Sequence, residues 1–142
     1  DACKKKLSGE NIIIICADIE DQIMNLQIKD RKDFMTESGI KNTGLDNLIK
    51  VGYNALGLST FFTSGPEESR AWTIEKNSKA ADAAGVIHTD FKKKFIRAET
   101  VTSDDFIKYR GFNECKNAGK LRLEGKDYSV NDGDVMYFRV GS

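Results

Sequence analysis

The spacing of apolar residues divides the chain into two segments that meet near Gly57. In the first segment, four consecutive isoleucines at 12–15 indicate a strand buried on both faces, as in a parallel sheet. Apolar residues three and four positions apart then predict three helices, which begin at Asp18, Asp30 and Thr43. With a helix tail expected at residues 2–8, this segment is typical of the end of an α/β unit.

Short alternating runs replace the helical spacing after Gly57. The runs STFFTSG and SRAWTIE flank a connection that contains Pro66, and this arrangement predicts a β-hairpin. An alanine-rich helix capped by Ser78, a strand over KFIRAETV, two short helices and further strands over KLRLEG and DVMYFRV follow. Strands that enclose a helix without strict alternation predict an α+β domain, a small mixed sheet with a helix packed on one face.

The composition is that of a globular chain without a strong overall charge. Of 142 residues, 39% are hydrophobic and 31% are charged, and 22 Lys and Arg balance 22 Asp and Glu. This balance excludes a field that attracts nucleic acid or membrane to the whole surface, so any such attraction has to be local. No apolar run approaches the ~18 residues of a membrane span, and the start has no secretory signal.

The cysteines and the first residue bear on where the chain works and on its extent. Cys3, Cys16 and Cys115 are widely spaced and form no CxxC pair. A reduced intracellular compartment with ordinary thiols is the simplest interpretation. Because the chain begins with Asp1 and not with Met, we expect the native start to be missing.

A catalytic constellation is hard to build from these residues. His88 is the single histidine, and Thr89, Asp90 and Cys115 are the partners that a hydrolytic dyad could use. We favour a structural interpretation in which His88 and Asp90 form hydrogen bonds in a turn, because no second member lies at a motif spacing. The scattered cysteines match no zinc-ligand spacing, and neither Gly-Lys pair continues into the Ser or Thr of a P-loop. We therefore expect no catalytic residue and no metal site in the chain itself.

A local basic surface is the better candidate for function. Lys92, Lys93 and Lys94 run together before the strand that contains FIR. Strand alternation predicts an inward set, namely Ile96, Ala98, Leu121, Leu123, Met136, Phe138 and Val140. It predicts an outward set, namely Phe95, Arg97, Lys120, Arg122, Tyr137 and Arg139. If these strands are neighbours, their outward cations and tyrosine form a candidate RNA-binding face. A solvated face of mixed charge stays open as the alternative, since residues 59–142 contain 14 Lys and Arg against 13 Asp and Glu.

Several longer motifs resemble one family. The stretches AAGVIHTDF, FIRAE, DDF, LRLEGKDY and VNDGDVMYFR are similar, in this order, to the C-terminal domain of the Obg-like ATPases, the YchF family. The resemblance implies that residues 58–142 form a TGS domain with a β-grasp, ubiquitin-like fold. It also implies that residues 1–57 are the C-terminal remnant of a P-loop nucleotide-binding domain, whose last strand lies at 12–15. Lys92–Lys94 depart from the family, which often has one lysine followed by glycine there.

The same resemblance implies an activity for the whole protein. It would bind and hydrolyse ATP, or GTP, with Mg²⁺, and Cys16 and Ala17 would lie in the loop that approaches the nucleotide base. The P-loop, the magnesium-binding switch and the base-specificity motif would precede Asp1. This chain alone would then hold no cofactor and would not be catalytic.

Two functions of the TGS domain stay open. It would be a ribosome-binding or RNA-binding module, or else a protein–protein interaction module that couples the nucleotide state to a partner. We expect a cytoplasmic protein with no membrane partner. Without its sheet, the strand at 12–15 would fray, pack on the helices, or pair with a second chain through its unprotected edge.

Overall fold

A computed structural model describes residues 12–65 and 67–141. The chain divides into two compact units, a helical unit at Asp1–Leu56 and a sheet unit at Gly57–Ser142. The boundary coincides with the point where the apolar spacing changes. The helix tail expected at residues 2–8 and the proline of the hairpin connection lie outside the described residues.

Three helices form the described part of the helical unit: α1 (Ala17–Asn25), α2 (Ile28–Glu37) and α3 (Gly44–Ala55). The three predicted helices are confirmed, although α1 begins one residue before Asp18 and has Cys16 as its N-cap. Thr43 caps α3 as predicted. Its hydroxyl accepts a hydrogen bond from the Asp46 amide at 3.0 Å, and the Asp46 carboxylate accepts one from the Thr43 amide at 3.3 Å. This reciprocal capping box fixes the start of the helix.

The isoleucines at 12–15 form no strand in this chain. No neighbouring strand lies among the described residues of the helical unit, so their backbone groups have no ladder to join. Ile15 instead lies against the start of α3, where a Cβ on Gly44 would stand 2.9 Å from its Cγ1. Glu20 ties α1 to the same place, because its Oε1 accepts the Gly44 amide at 2.6 Å.

The helical unit buries few of its apolar side chains. Ile23 of α1 is buried, and it is the one buried residue among those described in this unit. Leu45, Leu48 and Ile49 share a face of α3, as predicted, but all three are exposed. Hydrophobic burial is the main source of helix stability in proteins, so this unit is the weaker of the two.

The sheet unit contains five strands and four helices among its described residues. In chain order they are β1 (Leu58–Ser64), β2 (Ser69–Glu75), α4 (Ala80–Ile87), α5 (Thr89–Lys93), β3 (Phe95–Thr102), α6 (Ser103–Tyr109), α7 (Phe112–Asn117), β4 (Arg122–Glu124) and β5 (Asp134–Val140). The predicted hairpin, the alanine-rich helix and the later strands are confirmed. The predicted cap of the alanine-rich helix is wrong, because Lys79 is its N-cap and the Ser78 hydroxyl donates to the Glu75 carbonyl at 2.7 Å. The short helix α5 was not predicted.

The strands form one mixed sheet in the order β2-β1-β5-β3-β4. β1 and β2 pair antiparallel as the hairpin, whereas β1 and β5 pair parallel, with Phe62 beside Val135. β3 pairs antiparallel with β5 on one side and with β4 on the other. The first and last strands of the unit are therefore neighbours in the middle of the sheet.

Apolar residues cover both faces of this sheet. On the first face, α4 packs on a core of Phe61, Ile74, Ala80, Ala83, Ala98, Val130 and Met136. On the second face, α6 and α7 cover a smaller core of Val101, Cys115 and Val135. The predicted helix on one face is present as α4, whereas the cover of the second face by α6 and α7 was not predicted. Alternation along each strand is visible in the sequence, but it does not show that both sets of residues have cover.

Candidate functional site

Part of the second face is not covered by α6 and α7, and we call the β3–β4–β5 side of it the open face. It consists of Arg97 and Glu99 on β3, Leu123 on β4, and Tyr137 and Arg139 on β5. Arg97 stands directly opposite Arg139, and Glu99 stands between Tyr137 and Leu123. Residues opposite each other in a sheet project to the same side, so these five side chains share one surface.

Arg139 is held in place on the open face by two contacts. Its Nε donates to Oε1 of Glu99 at 3.0 Å, and its guanidinium lies 4.5 Å from the centre of the Tyr137 ring. The hydrogen bond to Glu99 raises the pKa of Arg139 above its usual value. The guanidinium therefore stays charged and lies on an aromatic face, an arrangement that favours flat anionic or π ligands.

Arg122 does not belong to this surface, so its predicted place on the RNA-binding face is wrong. It pairs with Thr100 and therefore projects to the first face, together with Met136. Leu123, predicted to face the core, is 61% exposed on the open face. The alternation of side chains along β4 was predicted correctly, but the two sides were assigned to the wrong faces of the sheet. Leu121 and Leu123 lie on the second face, where Leu121 packs on the second core, and Arg122 lies on the first face.

The position of the Arg122 side chain is fixed by its hydrogen-bond partner Asp134. This carboxylate is only 2% exposed, and it accepts hydrogen bonds from Arg122 Nη2 at 3.0 Å, the Tyr128 hydroxyl at 2.8 Å and the Asn131 amide at 2.9 Å. A buried charge needs such partners, since an unpaired one is costly. Arg122 is therefore a structural residue that fixes the segment between β4 and β5.

We predict that Tyr128 makes stability fall at high pH. Burial, followed by the hydrogen bond to Asp134 and its negative charge, raises the pKa of Tyr128 above the usual 10.0. The folded state holds this proton more tightly than the unfolded state, so the contribution is complete below about pH 10 and is lost as the pH rises above it. Tyr128→Phe should lower stability by about 1 kcal/mol at neutral pH and make the decline above pH 10 shallower. Urea unfolding at several pH values measures this, and equal slopes in both proteins would contradict it.

A bulge in β3 changes the predicted facing of two further residues. The register with β5 shifts between Phe95 and Arg97. Ile96 is the extra residue and is 60% exposed, whereas Phe95 turns inward and packs edge-on against Phe138 at 6.1 Å. The expectation that Ile96 faces inward and Phe95 outward is therefore wrong, because one inserted residue reverses the alternation beyond it. Arg97 lies after the bulge and faces outward as predicted.

The lysines of the predicted basic surface separate into different environments. Lys92 forms an ion pair with Asp82, 2.6 Å from Nζ to Oδ1. Lys93 and Lys94 have no acidic partner within residues 12–65 and 67–141. The Lys94 carbonyl accepts the Gly141 amide at 2.8 Å, which places this lysine at the end of β3 and β5 beyond Arg97 and Arg139. Lys120 is exposed between α7 and β4.

The two residues considered for catalysis, His88 and Cys115, have structural roles. His88 caps α5, since its Nδ1 accepts the Asp90 amide at 3.2 Å, and this confirms the turn interpretation. Cys115 is the buried residue of α7, and its burial, followed by the charges of Asp105 and Glu114, raises the pKa of its thiol. A protonated, buried thiol is a poor nucleophile. Among the described residues, no group of three His, Cys, Asp or Glu side chains could hold a metal ion.

Cys16 and Ala17 lie at the N-terminus of α1, and both are exposed. A groove of about 420 Å³ that was not predicted lies on the second face beside α6, lined mainly by Phe62, Phe106, Ile107 and Val135. The groove could not be predicted from the spacing of residues in the sequence, because it depends on how much of the sheet α6 covers. No helix in the described part of the chain is both long and apolar enough to cross a membrane.

Comparison with known proteins gives the family of this sheet unit. The family model YchF-GTPase_C, described as a protein of unknown function (DUF933), matches residues 58–141, more than half of the chain. The chain belongs to the YchF family. The predicted resemblance to this family is thereby confirmed.

Two curated relatives in the YchF family carry the name "Ribosome-binding ATPase YchF". The one from Bacillus subtilis is 51% identical over 134 residues, which is 93% of this chain and 37% of the relative. The one from Escherichia coli O157:H7 is 50% identical over 130 residues, which is 92% of this chain and 36% of the relative. The chain therefore spans little more than a third of the length of these YchF proteins.

A solved structure supports the same assignment. The YchF GTPase of Schizosaccharomyces pombe superposes with a TM-score of 0.77 at 35% identity, over 96% of this chain and 36% of that one. The mixed α/β architecture with its five-stranded sheet is thus similar to that of a YchF protein.

Proposed function

We propose that the sheet unit is a TGS domain of β-grasp fold and that it binds the ribosome through the open face and the lysines next to it. The fold part of the proposal is supported by the strand order β2-β1-β5-β3-β4, the parallel pair in its middle, and the helix α4 that follows the first hairpin. The relatives named ribosome-binding ATPases support the ribosome as the partner.

The observation that carries the proposal is a group of four cations, Lys93, Lys94, Arg97 and Arg139, of which only Arg139 is paired with a carboxylate among the described residues, that of Glu99. Lys93, Lys94 and Arg97 have no ion-pair partner within the described ranges 12–65 and 67–141, and Arg139 lies opposite Arg97. Although the formal net charge of the chain is zero, Arg97 and Arg139 lie together on the open face, and Lys93 and Lys94 immediately precede β3. Phosphates are the ligands such a cluster attracts, and ribosomal RNA presents them in quantity.

The whole protein would add the chemistry that this chain lacks. The family implies that it binds and hydrolyses ATP or GTP with Mg²⁺, and its P-loop and magnesium-binding switch would precede Asp1. Cys16 and Ala17 would approach the nucleotide base, and their exposed place at the start of α1 fits a contact from the backbone. We place the protein in the cytoplasm, where ribosomes work.

A double charge reversal tests the binding part of the proposal. Lys94→Glu with Arg97→Glu should weaken binding of the chain to ribosomes about tenfold, and it should reduce the slope of log K against log salt by about 2. Arg70→Glu with Lys126→Glu is the matched control, because it makes the same change in charge away from the open face. Co-sedimentation at several salt concentrations measures both. Equal weakening by the two pairs would refute a role for this face.

A second candidate is a protein–protein interaction module. The apolar groove beside α6 and the exposed Leu123 and Ile96 favour it, because such residues fit a protein partner better than a phosphate backbone. Pull-down from a lysate before and after nuclease treatment separates the two functions. Ribosomal components should be lost on treatment if RNA holds them, and should remain if protein contacts hold them.

A further inference from the structure

We propose that the stacked pair Arg139–Tyr137 binds an unpaired RNA base, with Arg97 on the phosphate beside it. This inference rests on the proposed function and names the part of the RNA that the open face would recognise. Its starting point is the position of Arg139, whose guanidinium carbon lies over the Tyr137 ring, 4.5 Å from the ring centre.

The arrangement leaves the outer side of the guanidinium available. Glu99 holds Arg139 through Nε alone, and within the described residues its terminal Nη groups have no hydrogen-bond partner. Tyr137 is 41% exposed and is supported from behind by Phe112, whose ring centre is 6.4 Å away. A planar cation fixed on an aromatic ring offers a flat platform on which a base can stack without ordering a mobile side chain first.

Arg97 supplies the second point of contact. It lies directly opposite Arg139 across the β3–β5 ladder, and opposite residues in such a ladder have Cβ atoms about 5 Å apart. Two long side chains that begin this close together can reach the base and the phosphate of the same nucleotide. Among the residues that the structure describes, Arg97 has no ion-pair partner, whereas the nearby Glu99 is bonded to Arg139.

The platform favours unpaired RNA over a duplex and over an acidic protein. In a duplex the base planes are stacked on each other and are not accessible, so only phosphates could reach the arginines. An acidic peptide would use the positive charge but would gain nothing from a planar stack. Glu99 and Tyr137 together hold the guanidinium of Arg139 in a fixed position. A base can stack on such a fixed planar group, whereas a carboxylate needs only its charge.

The test uses RNA of about ten nucleotides, in the range of single-strand sites. Four probes are compared by fluorescence anisotropy with the full chain: an unstructured strand, the same backbone without bases, the duplex of equal charge, and an oligoglutamate. The strand with bases should bind about tenfold more tightly than each of the others. Equal binding of the abasic strand or of the duplex would overturn the inference, and tighter binding of the oligoglutamate would favour an acidic protein partner.

Substitutions at the platform separate stacking from charge. Arg139→Lys keeps the charge but removes the plane, so it should abolish the preference for bases and leave binding of the abasic strand unchanged. Tyr137→Leu should have the same effect, whereas Tyr137→Phe should keep the preference. If Arg139→Lys keeps the preference, the stack is not the site. Ribosome co-sedimentation of Lys94→Glu, a change outside the proposed base site, is run in parallel and reports on the proposed function independently of this result.

Discussion

Replacing Asp134 with alanine is expected to destabilise the sheet unit by about 3–5 kcal/mol, because three hydrogen-bond donors lose one buried carboxylate, at about 1–3 kcal/mol for each donor left unsatisfied. Arg122, Tyr128 and the Asn131 amide would all lose their acceptor at once. For a unit of this size each kcal/mol lowers the melting temperature by roughly 4–8 °C, so we expect a fall of more than about 12 °C. Trp72 is the single tryptophan and packs against the first core, so its fluorescence reports the unfolding of this unit.

Asp127→Asn is the matched control for this experiment. Asp127 is an exposed carboxylate in the same segment between β4 and β5. Its substitution should change stability by less than about 0.5 kcal/mol, as is usual for surface sites. If Asp134→Ala were as mild as this control, the carboxylate would contribute no more than a surface charge, and the structural role given to Arg122 would be wrong.

Phe61→Ala is expected to have a similarly large effect, a loss of about 3–5 kcal/mol. Phe61 is fully buried in the middle of the first core, and its ring meets that of Phe138 edge-on at 5.9 Å. Alanine removes the apolar area of the ring and leaves a cavity that α4 and the sheet cannot close, because interiors are close-packed. Urea unfolding followed by Trp72 fluorescence gives the value.

Two substitutions bracket the result at Phe61. Phe61→Leu retains most of the volume and should cost less, about 1.5 kcal/mol or under. Ile107→Ala removes an apolar side chain that is exposed on α6, and it should be close to neutral. The loss of stability should therefore decrease from Phe61→Ala to Phe61→Leu to Ile107→Ala. Equal losses for Phe61→Ala and Phe61→Leu would show that the first core is loosely packed.

Local signals in the sequence were enough for most elements of the fold. Thr43 marked the start of α3, and the two runs around the proline marked the hairpin. Such features depend on residues within a few positions of each other. The isoleucine run at 12–15 carries a strand signal of the same kind, but a strand also needs a neighbour. The contact of Ile15 with the start of α3 agrees with one of the three outcomes expected without the sheet, packing on the helices.

The candidate site was only partly predictable, for a different reason. Arg97, Tyr137 and Arg139 were assigned correctly to one surface, because alternation within β5 and after the bulge is regular. Arg122 was misassigned, since its partner Asp134 lies on another strand and nothing nearby in the sequence shows that contact. The bulge at Ile96 was also invisible, because an inserted residue leaves no mark on composition.

The central position of β5 has a consequence for how the protein is made. β5 lies between β1 and β3, so two of the four strand pairings in the sheet wait for residues 134–140. The closing contact, Phe62 with Val135, spans most of the unit, and such distant pairings make folding slow. During synthesis the hairpin and α4 emerge first and expose their apolar faces until the last strand leaves the ribosome. A domain that we propose to bind ribosomes thus stays incomplete on its own ribosome until nearly its whole length has been translated.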